Sequence, residues 1–314
     1  MTSRAALVVT AMEDLSDGVV GVTLAYPDGA RLPDWTPGAH IDVVLPNEKA
    51  RQFSLCGDRW DAHTYRIGVL REPNGRGGSA YVHDMLRPGD RVGLGGPRNN
   101  FPLVPATRYL FVAGGIGITP LLPMIEQADA LDADWRLLYG GRRHSSMAFL
   151  PELARYGDKV VVAPEDECGL LDLPGWLGVP QPGTRVYCCG PAPLLAAAEQ
   201  LCQNWPPYSL HVERFTPKEF GAPVRPGPFE VELRRSGRTV TVPDGSSVLT
   251  ALRLAGVGVL SSCQQGVCGT CETTVLDGLP DHRDSILADH ERDAGDRMYV
   301  CVSGSRTDRI VLDL

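Results

Sequence analysis

Cys263-Gln264-Gln265-Gly266-Val267-Cys268-Gly269-Thr270-Cys271, followed by Cys301 after 29 intervening residues, is the stretch on which the reading of this chain turns. C-x4-C-x2-C with a distant fourth Cys is the spacing of a plant-type [2Fe–2S] cluster. Three thiolates must converge on one small inorganic core from a single tight loop. Gly266 and Gly269 permit close backbone approach and positive φ, and backbone N–H groups then point at the sulfurs and tune the potential. A structural zinc site would instead present two close Cys/His pairs. The spacing therefore assigns Cys263, Cys268, Cys271 and Cys301 as metal ligands.

The placement of cysteines also suggests modules. Five of the nine (Cys56, Cys168, Cys188, Cys189, Cys202) are scattered through the first two thirds, and the other four fall in the last 52 residues. A length of 314 residues favours two or three domains over one core. A net charge of −8 argues against a nucleic-acid surface. No stretch approaches the roughly 20 apolar residues of a membrane span. The short apolar run Ala5–Met12 after Arg4 ends at Glu13 and Asp14 with no cleavage pattern, so it reads as a first β-strand rather than a signal core. A soluble, cytoplasmic protein is expected, in which cysteines mean metal or redox chemistry before disulfides.

Residues 1–105 read as β-rich. The runs Ala6–Thr10, Val19–Ala25, Ile41–Leu45 and Tyr65–Leu70 are separated by Pro, Gly and Asp, with one helical interruption at Ser79–Leu86; this spacing suggests an antiparallel barrel or sandwich. Residues 106–215 alternate strands (Tyr109–Ala113, Arg136–Tyr139, Val160–Ala163, Arg185–Cys189) with helices (Leu121–Ala130, Leu194–Leu201), the pattern of an α/β parallel sheet. Residues 216–228 hold four prolines and two glycines and read as a linker. Residues 229–314 give a hairpin (Phe229–Leu233, Thr239–Val242) and then a helix capped by Ser247, with Val248, Leu249, Leu252 and Ala255 on one face and Gly256 at its end. The Cys-rich loop comes next, which is the order expected of a β-grasp ferredoxin domain.

Two glycine turns follow predicted strands of the second module. Gly114-Gly115-Ile116-Gly117-Ile118-Thr119-Pro120 suits a pyrophosphate at a helix N-terminus, although it departs from G-x-G-x-x-G and taken alone reads equally well as a plain tight turn. Cys188-Cys189-Gly190-Pro191 repeats the placement, and two such sites at the carboxyl ends of parallel strands define a ligand crevice. In the first module, Arg51-Gln52-Phe53-Ser54 offers a cation, a flat ring and a hydroxyl on one strand. Gly75-Arg76-Gly77-Gly78-Ser79 offers N–H groups to a phosphate. Each has a plainer reading, as a half-buried strand and a hairpin tip.

Taken in order along the chain, these motifs resemble the phthalate dioxygenase reductase and vanillate O-demethylase reductase family of ferredoxin–NADP reductase-like flavoproteins. The resemblance implies three domains: an antiparallel β-barrel flavin domain, an α/β parallel-sheet nucleotide domain and a β-grasp [2Fe–2S] ferredoxin domain. Position by position it implies that Arg51, Phe53 and Ser54 contact the flavin and that Val69 and Arg71 line it. Gly77, Gly78 and Ser79 hold its phosphate, and Thr119 sits near its ring. Gly115, Gly117, Cys189, Gly190 and Pro191 bind the dinucleotide, with Cys189 at the nicotinamide end. Glu213 and Phe215 lie close to the isoalloxazine, and Cys189 and Glu213 orient the nicotinamide. Relatives mostly carry Tyr where this chain has Phe53, which loses one hydroxyl hydrogen bond at a cost of about 0.5–1.5 kcal/mol.

The compact phosphate turn is similar to that of the FMN-binding branch of the family, a resemblance that implies FMN rather than FAD. The Gly140-Gly141-Arg142-Arg143 run is similar to that of NADH users, and NADH is preferred, although the two arginines also suit the 2′-phosphate of NADPH. A nicotinamide gives two electrons as hydride, the cluster accepts one, and a flavin joins the two. The seven histidines (His40, His63, His83, His144, His211, His282, His290) give no C-x-H pair and no 2-His-1-carboxylate set, so the substrate chemistry is expected on a partner. That partner would be a terminal oxygenase, either Rieske-type or cytochrome P450, met by transient docking. Residues 229–314 carry 13 Asp/Glu against 9 Lys/Arg, which would steer a basic docking face. A monomer is compatible with three modules. The competing reading is a redox-sensing iron–sulfur flavoprotein without steady turnover.

Overall fold

A computed structural model describes residues 6–73 and 75–314. Arg4 and Ala5, where the first apolar run begins, lie outside them. The chain divides into two compact units, one ending at Glu213 and the other running Arg214–Leu314.

The first unit opens with six antiparallel strands: β1 (Ala6–Ser16), β2 (Val19–Ala25), β3 (His40–Val44), β4 (Ala50–Ser54), β5 (Thr64–Leu70) and β6 (Arg91–Arg98). Their order is β4-β3-β6-β1-β2-β5, and a bridge between Leu55 and Ile67 joins the two ends, closing the sheet into a barrel. Alternate residues point inward, so Leu7, Val9, Val22, Leu24, Ile41, Val43, Tyr65, Ile67 and Val69 fill the core. Strand β1 runs well past Thr10 because it pairs with β2 along its length, with two register shifts. The helix read at Ser79–Leu86 is Gly78–Asp84.

Five parallel strands follow: β7 (Arg108–Gly114), β8 (Asp134–Gly141), β9 (Val160–Pro164), β10 (Thr184–Cys189) and β11 (Leu210–Glu213), ordered β11-β10-β7-β8-β9. The chain starts at central β7 and adds strands on both sides, so the switch point lies between β7 and β10. Strand β11 has no apolar run of its own; pairing with β10 makes it a strand. Phe111, Tyr139, Tyr187 and Cys189 face one side and share a core with Val19, Cys56 and Phe101 of the barrel. Leu110, Val112, Val186 and Cys188 face the other. That shared core is why barrel and parallel sheet form a single unit.

The second unit carries β12 (Phe229–Leu233), β13 (Arg238–Val242), β14 (Glu272–Asp277), β15 (Pro280–Asp281), β16 (Arg297–Tyr299), β17 (Gly304–Ser305) and β18 (Arg309–Leu312). The main sheet runs β13-β12-β18-β14-β16, with β12 parallel to β18 and the other pairs antiparallel. The helix Val248–Leu254 covers it. Ser247 Oγ accepts the Thr250 N–H at 3.1 Å, and Gly256 sits at φ 73° beyond the helix end. Ala251 is buried on this helix, while Ala255 is only partly so.

The Pro/Gly segment 216–228 is stitched to the second unit. Lys218 N–H donates to Ser285 Oγ at 2.8 Å, Val224 N–H to Asp281 Oδ2 at 3.2 Å and Gly227 N–H to Asp244 Oδ1 at 3.3 Å. Arg225 pairs with Asp308. Among the described residues, no helix is long and apolar enough to cross a membrane.

Candidate redox site

In the second unit the loop between the helix Val248–Leu254 and β14 brings the four motif cysteines together. Cys263 is hydrogen-bonded to Cys268 and to Cys301, and Cys301 also to Cys271. Cys268, Cys271 and Cys301 are buried, and Cys263 is half-buried. Backbone groups turn toward the sulfurs: Gln265 N–H donates to Cys263 Sγ at 3.3 Å and Thr270 N–H to Cys268 Sγ at 3.4 Å. Gly266 lies at φ 68°, and a Cβ there would stand 2.6 Å from Val302 Cγ2, so this turn accepts only glycine. Gln264 takes positive φ without being glycine. Among the described residues, no three His, Cys, Asp or Glu side chains close around a single metal ion. The thiols instead adjoin in a run, 268 with 263, 263 with 301 and 301 with 271, so all four sulfurs gather at one place. All nine cysteines are unbridged.

In the first unit the two glycine turns abut. A Cβ on Gly117 would lie 2.3 Å from Cys189 O, and one on Gly114 would lie 2.7 Å from both Pro191 Cδ and Leu194 Cδ2. Gly115, at φ 55°, has nothing within 4 Å of that position and opens outward. Gly190 and Pro191 lead into the helix Ala192–Leu201. The ends of β7, β10 and β11 thus converge, with Ala113, Cys189 and Glu213 in register. Ser54, at the end of β4, faces the same place: its hydroxyl reaches Glu213 Oε2 at 3.5 Å, a long contact. Glu213 is partly exposed as a residue, but its carboxyl lies deep. Burial pushes its pKa up to about 8, against the Ser54 bond. The Cys189 thiol is held well above its ordinary value by burial and then by Glu213, so it is a neutral thiol.

Farther along β4, Arg51 reaches the second glycine-rich turn. Its guanidinium donates to the carbonyls of Ala50 at 2.7 Å and Arg76 at 3.1 Å, and Lys49 Nζ donates to Arg76 O at 2.9 Å. A Cβ on Gly78 would strike the Arg51 side chain at 2.3 Å, and one on Gly77 would strike Lys49 Nζ at 2.8 Å. Burial and the neighbouring Arg76 hold the Arg51 pKa below its ordinary value, a crowding of cations that an anion relieves. Ser79 Oγ accepts the Glu72 N–H at 3.1 Å, which leaves its own proton to donate. The fit to a flavin phosphate is good. Lys49 was not singled out from the sequence; its place two residues before Arg51, on the same strand face, was the available signal.

Residues 231–304 match the family described as 2Fe-2S iron-sulfur cluster binding domain. Over nearly its full length the chain is 46% identical to the phenoxybenzoate dioxygenase subunit beta of Ectopseudomonas oleovorans, covering 95% of this chain and 94% of that protein. The solved structure of phthalate dioxygenase reductase superposes with a TM-score of 0.73 at 36% identity, covering 99% of this chain and 98% of that one. The chain belongs to the phthalate dioxygenase reductase and vanillate O-demethylase reductase family. A second solved structure, an intact type IV self-sufficient cytochrome P450 monooxygenase, gives a TM-score of 0.94 at 43% identity over 99% of this chain; the chain spans only 41% of that polypeptide.

As a member of the phthalate dioxygenase reductase family the chain is an NAD(P)H-dependent oxidoreductase, built from flavin, pyridine-nucleotide and [2Fe–2S] modules. The remaining positions singled out from the resemblance are placed unevenly. Thr119 is buried where barrel and sheet meet: its hydroxyl donates to Ile116 O at 2.9 Å, and a Cβ on Gly68 of β5 would lie 3.0 Å from its methyl. Phe53 is half-buried against the barrel core. The Val69 side chain lies within that core, and its carbonyl is engaged by His83 Nε2 at 2.9 Å, so only backbone is left to line a cofactor. Arg71 points to solvent and pairs with Asp84 on the helix Gly78–Asp84. Phe215 falls in the second unit and is 43% exposed.

Proposed function

We propose that this chain takes hydride from NADH onto FMN and delivers single electrons through its [2Fe–2S] cluster to a terminal oxygenase, Rieske-type or cytochrome P450, by transient docking. The observation that carries the reading is the convergence in one unit of Gly117, Cys189, Glu213 and Ser54, on a chain that also gathers four cluster-spaced thiols. The working division is 1–105 for the flavin, 106–215 for the dinucleotide, 216–228 as connector and 229–314 for the cluster.

A bound flavin supplies the chemistry that joins two-electron hydride to one-electron iron. The chain's own residues position it. Lys49, Arg51, Gly77, Gly78 and Ser79 hold a terminal phosphate, and the turn's likeness to the FMN-binding branch favours FMN over FAD. Phe53 offers a flat face to the ring, and Ser54 a hydroxyl. Thr119 closes the barrel side of the crevice, and Phe215 is assigned to the flavin by resemblance alone. The abutting turns at Gly115–Gly117 and Cys189–Pro191 seat the dinucleotide with its nicotinamide toward Glu213. That carboxyl keeps its proton at neutral pH and serves as a donor orienting the carboxamide. Cys189 walls the pocket as a neutral thiol. Hydride transfer needs stacking at near-attack distance and no general base. Nine unbridged thiols suit the cytoplasm. The dioxygenase subunit and the P450 polypeptide among the relatives support an oxygenase as acceptor.

Anaerobic titration with NADH and with NADPH, read by absorbance, tests the donor. Identification of the flavin released on denaturation tests the cofactor. FMN and preferential reduction by NADH are expected; release of FAD, or reduction by NADPH alone, would refute those assignments. Sustained cytochrome c reduction excludes a sensor that does not turn over.

A further inference from the structure

The segment from Asp281 to Leu287 lies against the loop that carries the cluster cysteines. Asp281 pairs with Gly304, Arg283 N–H donates to Ser303 Oγ at 3.2 Å, and Ser285 N–H donates to Gly266 O at 2.8 Å. The Gly266 N–H in turn donates to Cys301. The segment is therefore hydrogen-bonded to the ligand-bearing backbone on both sides of His282.

His282 is buried there with Asp284; their side chains are 4% and 0% exposed, and Nδ1 stands 3.9 Å from Asp284 Oδ2. Among the described residues, neither ring nitrogen of His282, nor Asp284 Oδ2, has a hydrogen-bond partner. Asp284 Oδ1, in contrast, accepts the N–H groups of Ile286 at 3.0 Å and Leu287 at 2.8 Å. A neutral imidazole always carries one donor and one acceptor, and leaving both unpaired in the interior is costly. The pair gains when the ring is protonated and faces the carboxylate. The surrounding charges are finely opposed. Burial holds the ring toward neutrality, Asp284 pulls the other way, and Arg292 and Arg306 side with burial. Arg292 donates to the carbonyls of His282, Asp284 and Leu287, and Arg283 stands 3.7 Å from Asp281.

One further negative charge nearby tips such a balance. We infer that His282 takes up one proton from solvent as the adjacent cluster takes up one electron. The electron comes from the flavin and the proton from solvent water. The net charge of this unit is then unchanged on reduction, and the new imidazolium pairs with Asp284. The inference rests on the reading of the four cysteines as cluster ligands, which iron and labile-sulfide content checks independently.

The test is a redox titration of the loaded full-length protein at several pH values, read by the EPR signal of the reduced cluster. The potential is expected to fall with rising pH, approaching about 59 mV per pH unit, the tenfold change in proton activity converted for one electron. His282→Gln should flatten that slope. A wild-type potential indifferent to pH overturns the inference, as does a slope that survives in a fully loaded His282→Gln. If that variant does not load its cluster, reduced-minus-oxidised infrared spectra of the wild type with ring-labelled histidine decide. Protonated-imidazole bands support the inference, and their absence refutes it. A preparation without iron and sulfide removes the cluster reading and this inference with it.

Discussion

Glu213 keeps its proton at neutral pH because desolvation outweighs its one long bond to Ser54. In the unfolded chain its carboxyl ionises near the ordinary value of 4.5. Below that pH both states are protonated and the contribution to stability is complete. From there up to about 8 only the unfolded state sheds the proton, so the folding equilibrium weakens by up to about tenfold per pH unit, and above that the decline stops. Denaturant midpoints are therefore expected to fall between about pH 4.5 and about pH 8, and Glu213→Gln should remove this part of the fall. An equally pH-sensitive variant would show that the carboxyl is not buried as described. The four cysteines were readable because their spacing is itself the chemistry. The burial of Glu213 was not, because it depends on strand order: β11 follows β10 in the chain, but Ser54 arrives from a strand nearly 160 positions earlier.

Where two turns meet, the constraint belongs to neither alone. Gly117→Ala would push a methyl into Cys189 O, 2.3 Å away, and overpacking of that kind costs about 1–3 kcal/mol. A raised KM for NADH and a lower melting temperature are expected. Gly115→Ala, with open space around it, should show only backbone strain and melt closer to wild type. On β4, Arg51→Gln removes a charge-assisted contact worth about 1.5–3 kcal/mol, so flavin affinity should drop roughly 10- to 100-fold by fluorescence titration. Unchanged affinity would move the phosphate elsewhere. The glycine runs were visible in the sequence as turns between strands and helices. Their mutual contact was not visible, since it arises only once β7 and β10 lie side by side.

The alternation of element types along the chain was enough to read barrel, parallel sheet and ferredoxin in order, because periodicity and turn residues are local. What periodicity does not carry is which modules share a core: Val19, Cys56 and Phe101 join the barrel to the parallel sheet. The second unit's excess of acid, 13 against 9 between 229 and 314, predicts that electron delivery to a basic acceptor slows as salt rises. Stopped-flow rates insensitive to ionic strength would mean docking through apolar contacts instead. The stitched segment 216–228 has a practical corollary for anyone dissecting the gene. A fragment begun at 229 would strip the buried Asp281 of the Val224 amide and Asp244 of the Gly227 amide; one begun at 214 keeps both. The shorter fragment should melt lower, so the place to cut a free-standing electron carrier is ahead of the prolines, not behind them.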